Sequence, residues 1–129
     1  MKVLIVDNNI MMDSWGASDL VEQALKTPGA TVVVRRAPQQ DLPALTDKWD
    51  RIILSGSITP ATDQSPWVLQ LDEWIRRQVD RATPVLGVCY GHQAICRALG
   101  GLSLVRKAAA AEYGWTKVRS LVPTPIFEG

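Results

Sequence analysis

Pro84-Val85-Leu86-Gly87-Val88-Cys89-Tyr90-Gly91-His92-Gln93 decides how this chain folds. The apolar run at 85–88 reads as a strand, and the pattern beyond Gly91 turns helical, so the chain must pass from strand to helix around Cys89. A Gly-x-Cys-x-Gly frame at such a crossing is the sharp turn that lifts a nucleophile above the C-terminal end of a parallel sheet, with Cys in place of Ser. Gly87 and Gly91 are required because the turn brings backbones so close that a Cβ at either position would clash. Cys89 then stands at the start of a helix, where unpaired N–H groups and the helix dipole favour thiolate over thiol. The competing reading of the same residues is a cysteine used as core filler in a strand-turn-helix crossing.

Outward from this turn, strand and helix patterns alternate. The apolar run at 2–6 ends in Asp7-Asn8-Asn9 and reads as a buried strand entering a loop. Leu20, Val21, Ala24 and Leu25 form a helical stripe over 18–26 that Pro28-Gly29 ends. The β-branched segment 31–35 reads as a strand, 41–45 as a short helical turn, and 52–54 as a strand. The Ser-, Thr-, Gly- and Pro-rich stretch 55–65 is a loop, after which Pro66 opens a helix at its preferred first-turn position. Trp67, Val68, Leu71, Trp74, Ile75 and Val79 repeat with the helical period, and the two tryptophans are expected as core anchors. The helix after Cys89 runs to Leu99 with Ala94, Ile95, Ala98 and Leu99 inward. Two further strands are predicted at 102–105 and 115–121.

Such alternation predicts an α/β fold: a mostly parallel twisted sheet with helices on both faces. Function in these sheets gathers at the C-terminal edge of the strands, where Asp7, Ser55-Gly56-Ser57 and Cys89 all fall. The 129 residues suggest one domain, with 47% hydrophobic and 21% charged residues, as in ordinary globular proteins. A net charge of +1 argues against a nucleic-acid or membrane-surface partner. Arg35-Arg36 and Arg76-Arg77 read as solvated element ends. Cys89 and Cys96 share one predicted helix about 10 Å apart in rise, too far for a disulfide. No Cys or His spacing suits a metal, so neither metal nor cofactor is expected. Free thiols, and no leader or membrane-spanning stretch, predict a cytoplasmic protein.

The string PVLGVCYGHQ resembles the nucleophile signature of the class I (triad) glutamine amidotransferases. The strand at 1–6, Arg51-Ile52-Ile53-Leu54-Ser55-Gly56, Gly100-Gly101 and Glu112-Tyr113-Gly114-Trp115 resemble further segments of that family, so the likeness spans nearly the whole chain. Spacing between Ser65-Pro66-Trp67, Trp74-Ile75 and the Cys89 turn is most similar to free-standing members related to the glutaminase domain of GMP synthase. The resemblance implies a flavodoxin-like three-layer sandwich carrying a nucleophile elbow.

It further implies a glutaminase. Cys89 would attack the side-chain amide of glutamine, form a γ-glutamyl thioester and release ammonia, and water would then free glutamate. Backbone N–H groups of Tyr90 and Ser57 would form the oxyanion hole. Gly56, Gln93, Tyr113 and Gly114 match positions that hold substrate. Ser57 is a departure, because the family usually carries glycine there; if the donor needs φ > 0, serine is strained. The family's catalytic His and Glu lie in a His-x-Glu motif near the C-terminus, and this chain has one histidine, His92, and no such motif. His92 sits about one turn after Cys89, with no local carboxylate to orient it, and fits a packing role. The expectation is a class I domain over 1–129, C-terminally truncated, with little or no glutaminase activity as it stands.

Any ammonia acceptor would be a synthase on a separate chain, and an exposed sheet edge would favour a homo-oligomer. Three rivals bear on this reading. A receiver domain matches Met1–Asn9 in pattern but needs an Asp where Leu54-Ser55-Gly56 stands. A cysteine hydrolase of the α/β-hydrolase type shares the elbow but not the surrounding string. A glutaminase-like binding or regulatory module would keep the fold without the activity.

Overall fold

The computed structural model describes residues 1–14, 16–110, 114, 115, 117, 119, 121 and 122. Strand β1 (Lys2–Asp7) is the apolar run expected, and Leu4, Ile5 and Val6 are wholly buried. Burial of consecutive residues needs cover on both faces, and the helices supply it. Helix α1 (Ser18–Leu25) lays Leu20, Val21 and Ala24 over Val3 and Ile5. Helices α2 (Pro66–Asp80) and α3 (Tyr90–Gly100) cover Leu4, Val6, Ile52 and Leu54 on the opposite face. Each fully buried aliphatic side chain contributes about 1.5–3 kcal/mol relative to exposure. The result is the three-layer α/β sandwich that the alternating pattern predicts.

Among the described residues four strands make the sheet, all parallel, in the order β2-β1-β3-β4. Strand β2 (Thr31–Arg36) flanks β1 on one side, with Lys2 opposite Thr31 and Asp7 opposite Arg36. Strand β3 (Arg51–Leu54) flanks it on the other, and β4 (Val85–Gly87) pairs with β3 to form the outer edge. The chain therefore changes direction across the sheet between β1 and β3, which opens a crevice at the C-terminal ends of those two strands. Beside β4, Leu86 is exposed and lines a shallow groove with Ile53, Pro84 and Arg51. Among the described residues no helix is long and apolar enough to cross a membrane.

Several local expectations need correction. The short helical turn lies at Ala37–Gln39 rather than 41–45. Pro43 has no N–H to offer a helix, and its carbonyl instead accepts from the Trp74 indole at 3.0 Å. Segment 102–105 is not a strand: Gly101–Ser103 forms a 3-10 turn, Leu102 and Leu104 are exposed, and only Val105 is buried. Leu104 folds back on Gly100, where an added Cβ would meet it at 2.0 Å. In the predicted strand 115–121, residues 116, 118 and 120 lie outside the described residues; of the others none is in a strand, and Trp115 is fully exposed. On α2 the buried set is Val68, Leu71, Asp72, Trp74, Ile75 and Gln78, while Val79 is exposed. On α3 it is Arg97, not Leu99, that turns inward.

Candidate active site

The ends of β1, β3 and β4 meet at one rim, as their positions predict. Ser55, just past β3, is wholly buried; its N–H donates to the Val6 carbonyl at 3.0 Å. The Asn8 N–H donates to Ser55 Oγ at 2.9 Å, and Asn8 Nδ2 donates to the Ser55 carbonyl at 2.8 Å. Ser55 Oγ lies 3.4 Å from Asp7 Oδ1. The loop after β3 is thus pinned to the end of β1 before it reaches Gly56.

Arg36 is not the solvated strand end that the sequence suggests. It is buried, with Nε 3.6 Å from Asp7 Oδ2, and its Nη2 donates to the carbonyls of Asn9, Met11 and Ser14 at 3.0, 2.7 and 3.2 Å. A buried carboxylate needs such a partner, because an unpaired charge there is strongly destabilising. The same guanidinium gathers the loop after β1 into a fixed shape.

The elbow forms where β4 meets α3. The Val88 N–H donates to the Leu54 carbonyl at 3.0 Å, Cys89 follows, and Tyr90 begins the helix. Cys89 has φ 53° and ψ −114°, one of three non-glycine residues with positive φ among the described residues. A side chain held there stores about 1–3 kcal/mol and persists only where its surroundings over-determine it. Both flanking glycines are explained by contact distance. A Cβ on Gly87 would stand 2.3 Å from the Gly91 carbonyl carbon, and one on Gly91 would stand 2.3 Å from the Leu54 carbonyl oxygen. Helix α3 therefore docks on β3 backbone to backbone, and the turn projects Cys89 into solvent.

Gly56 stands against the thiol: a Cβ built on it falls 3.5 Å from Cys89 Cβ and 3.9 Å from Sγ. Ser57 does not adopt positive φ, so the strain foreseen for it is absent. Its Oγ lies 2.9 Å from Thr59 Oγ1 and accepts from the Thr59 N–H at 3.1 Å. Tyr90, the first residue of α3, has an N–H without an intrahelical acceptor. Its side chain is wholly buried, with the ring 6.1 Å from that of Trp67. Gln93 is exposed on the first turn of α3 and, with His92, Cys96, Ala61, Val105 and Arg106, lines a cleft of about 240 Å³. Gly114 has φ 81° and no described neighbour within 4 Å of a built Cβ, so the structure does not bring it against the elbow. Tyr113 lies outside the described residues.

His92 turns along the helix: its Nε2 lies 3.6 Å from Cys96 Sγ. Among the described residues no hydrogen bond reaches the Cys89 thiol, and no group of three or more His, Cys, Asp or Glu side chains could hold a metal ion. The larger cavity, about 360 Å³ between 42–45 and α2, contains none of the predicted site residues.

Beneath the elbow lies a buried ion pair that the pattern analysis missed. Arg97 Nη2 donates to Asp72 Oδ1 at 2.8 Å and Nε donates to Oδ2 at 2.9 Å. Burial pushes the Tyr90 phenol above its ordinary pKa, with the Arg97 charge acting in the opposite direction. For Arg97 burial works against the charge, but hydrogen bonds with Asp72 and Tyr90 outweigh it and hold the pKa above its ordinary value. The sequence did carry a signal. Asp72 falls on the apolar stripe of α2, and Arg97 on that of α3, and opposite charges on two buried stripes mark a pair.

Comparison with known proteins agrees with this geometry. The family model "Glutamine amidotransferase class-I" matches residues 10–128. A GMP synthase (glutamine-hydrolysing) of Pyrobaculum aerophilum is 32% identical over 110 residues, covering 85% of this chain and 20% of that protein. Gamma-glutamyl peptidase 4 of Arabidopsis thaliana is 40% identical over 55 residues, covering 43% of this chain and 22% of that protein. A solved glutamine amidotransferase from Thermotoga maritima superposes with a TM-score of 0.60 at 17% identity, covering 78% of this chain and 43% of that one. This chain thus spans less than half the length of each of these proteins. A match over most of the chain, together with the strand-to-helix cysteine turn, places it in the class-I glutamine amidotransferase family.

Proposed function

We propose that this chain carries the nucleophile side of a glutaminase site, with Cys89 as the attacking thiol and the γ-amide of glutamine as its target. The observation that carries the reading is the exposed Cys89 at φ 53°, with the Gly56 backbone against its side chain. Attack by the thiolate builds charge on the amide oxygen, which the N–H groups of Tyr90 and Ser57 would receive. One such donor is worth about 3–4 kcal/mol in the transition state. Gly56 and Gln93 are the proposed substrate contacts, and the family resemblance adds Tyr113. Ammonia leaves as the γ-glutamyl thioester forms, and water returns the free thiol and glutamate.

The step needs a base, and the chain's single histidine is engaged with Cys96. We therefore expect turnover only when another polypeptide segment delivers a base to Cys89. The acceptor of the ammonia would be a separate synthase subunit, and the outer edge of β4 would serve a homo-oligomer. Two free thiols support a reducing, cytoplasmic setting. The test is ammonia release from glutamine, together with protection of Cys89 by glutamine against alkylation. No ammonia with clear protection supports the proposal. Turnover that disappears in Cys89→Ala overturns the missing-base part, and absence of protection overturns glutamine as ligand.

A glutaminase-like binding or regulatory module is the second reading, favoured by the same engagement of His92. Glutamine affinity that survives Cys89→Ala, with no catalysis when a synthase partner is added, would support it.

A further inference from the structure

Cys89 is strained, and something must hold it so. We propose that Arg97 is a positioning residue that locks the two proposed oxyanion donors to each other; the inference rests on the glutaminase reading above. One guanidinium reaches three separate parts of the site. Its Nη1 donates to the Ala61 carbonyl at 2.7 Å, within the 55–65 loop that carries Gly56 past the thiol. Its Nη2 reaches Tyr90 OH at 3.3 Å, and Tyr90 supplies the N–H immediately after Cys89. Its Nε and Nη2 grip both oxygens of Asp72 on α2, which neutralises the charge in place. The guanidinium carbon also stands 5.5 Å over the Tyr90 ring, and the Trp67 ring lies 6.1 Å from it.

Arg97, Asp72 and Tyr90 are all buried, which limits competition from water for the bonds among them, while the bond to Ala61 is part-buried. Elbow and loop come from β4 and β3, and their relative position sets the gap between the N–H groups of Tyr90 and Ser57. An oxyanion hole depends on that gap, because preorganised donors act without rearranging during the reaction. Only a planar fork with several N–H groups can serve a carboxylate, a carbonyl and a hydroxyl together; a lysine ammonium cannot span them. Arg97 makes no hydrogen bond to the thiol. It acts through Tyr90 and the 55–61 loop.

The test compares wild type, Arg97→Lys, Tyr90→Phe and the double variant Asp72→Leu/Arg97→Met, which exchanges the buried pair for apolar side chains of similar size. Two readouts are taken on the full chain. The first is the rate at which a chloroketone analogue of glutamine alkylates Cys89, divided by the rate with iodoacetamide, with Cys96 read in the same peptides by mass spectrometry as an internal control. The second is amide hydrogen exchange at Tyr90 and over 56–61. We expect the selectivity ratio to fall at least tenfold in Arg97→Lys and in the double variant, and less in Tyr90→Phe. Exchange should rise at Tyr90 and 56–61 while β1 stays protected.

An unchanged ratio in a variant that still melts cooperatively overturns the proposal. If neither Arg97 variant folds, Tyr90→Phe decides, since it removes only the hydroxyl link; unchanged ratio and exchange there count against the lock. A wild-type chain that shows no preference for the glutamine analogue defeats the substrate reading instead. Hydrogen exchange then still decides whether Arg97 joins the elbow to the loop.

Discussion

Replacing Gly91 by alanine tests the elbow at its tightest point. The new Cβ would stand 2.3 Å from the Leu54 carbonyl oxygen and 2.8 Å from Leu54 C and Cβ. Close carbon–oxygen contacts in proteins settle at about 3.3 Å, so α3 must retreat from β3 by about 1 Å. Both sides of the contact are backbone within regular elements, and neither can rotate away. The retreat also lengthens the Val88 N–H to Leu54 carbonyl bond, now 3.0 Å. Overpacking costs about 1–3 kcal/mol, and a collision against fixed backbone belongs at the upper end, about 3 kcal/mol. Measured by urea unfolding with tryptophan fluorescence, and with a slope of about 2 kcal/mol/M, the midpoint should drop by about 1.5 M. Gly29→Ala is the control: a Cβ there meets nothing within 4 Å and only the φ of +71° opposes it. Its cost should be about 1 kcal/mol from backbone conformation alone. If Gly91→Ala proves no more destabilising than Gly29→Ala, the backbone-to-backbone docking of α3 on β3 is wrong.

Three other outcomes follow from the same coordinates. Gly56→Ala should leave stability within about 0.5 kcal/mol, because its Cβ makes ordinary contact at 3.5 Å with Cys89 Cβ; it should nonetheless slow alkylation of Cys89 by a bulky electrophile severalfold, and an unchanged rate would show that Gly56 does not border the thiol's approach. Asp72→Ala strands the buried Arg97 charge and should cost about 3–5 kcal/mol in the same urea assay, whereas a loss below about 1 kcal/mol would mean the pair is solvated. Burial raises the Tyr90 pKa in the folded state; the unfolded chain therefore gives up that proton first, and stability should decline as pH rises above about 10. Tyr90→Phe should flatten that alkaline limb, and superimposable stability–pH curves would refute it.

The sheet and the elbow were legible because their signals are local. Four apolar runs mark four strands, and two glycines around one cysteine mark a turn that no larger side chain fits. What escaped was set by partners distant in sequence. Arg36 reads as one of a charged pair at a strand end until the loop after β1 folds over it. Asp72 and Arg97 each read as a charge on a helix; burial becomes tolerable only when the two helices bring them to 2.8 Å. Segment 102–105 alternates apolar and polar residues like a strand, but pairing needs a neighbour, and Gly101 at φ +72° starts a tight turn instead. Of the candidate site, Cys89, Gly56 and Tyr90 lie together, while Ser57 escapes the foreseen strain because its own φ is not positive.

The strand order carries a consequence for how the reactive thiol comes into being. Of the four described strands β1 comes earliest in the sequence yet lies inside the sheet, so pairing can grow outward from it as the later strands arrive. β4 follows the other three described strands in sequence, and Gly91 can seat on the Leu54 carbonyl only after β3 and β4 have joined. Before that docking forms, the contacts that hold Cys89 at φ 53° are missing. Its special geometry is withheld until the framework that restrains it is already built.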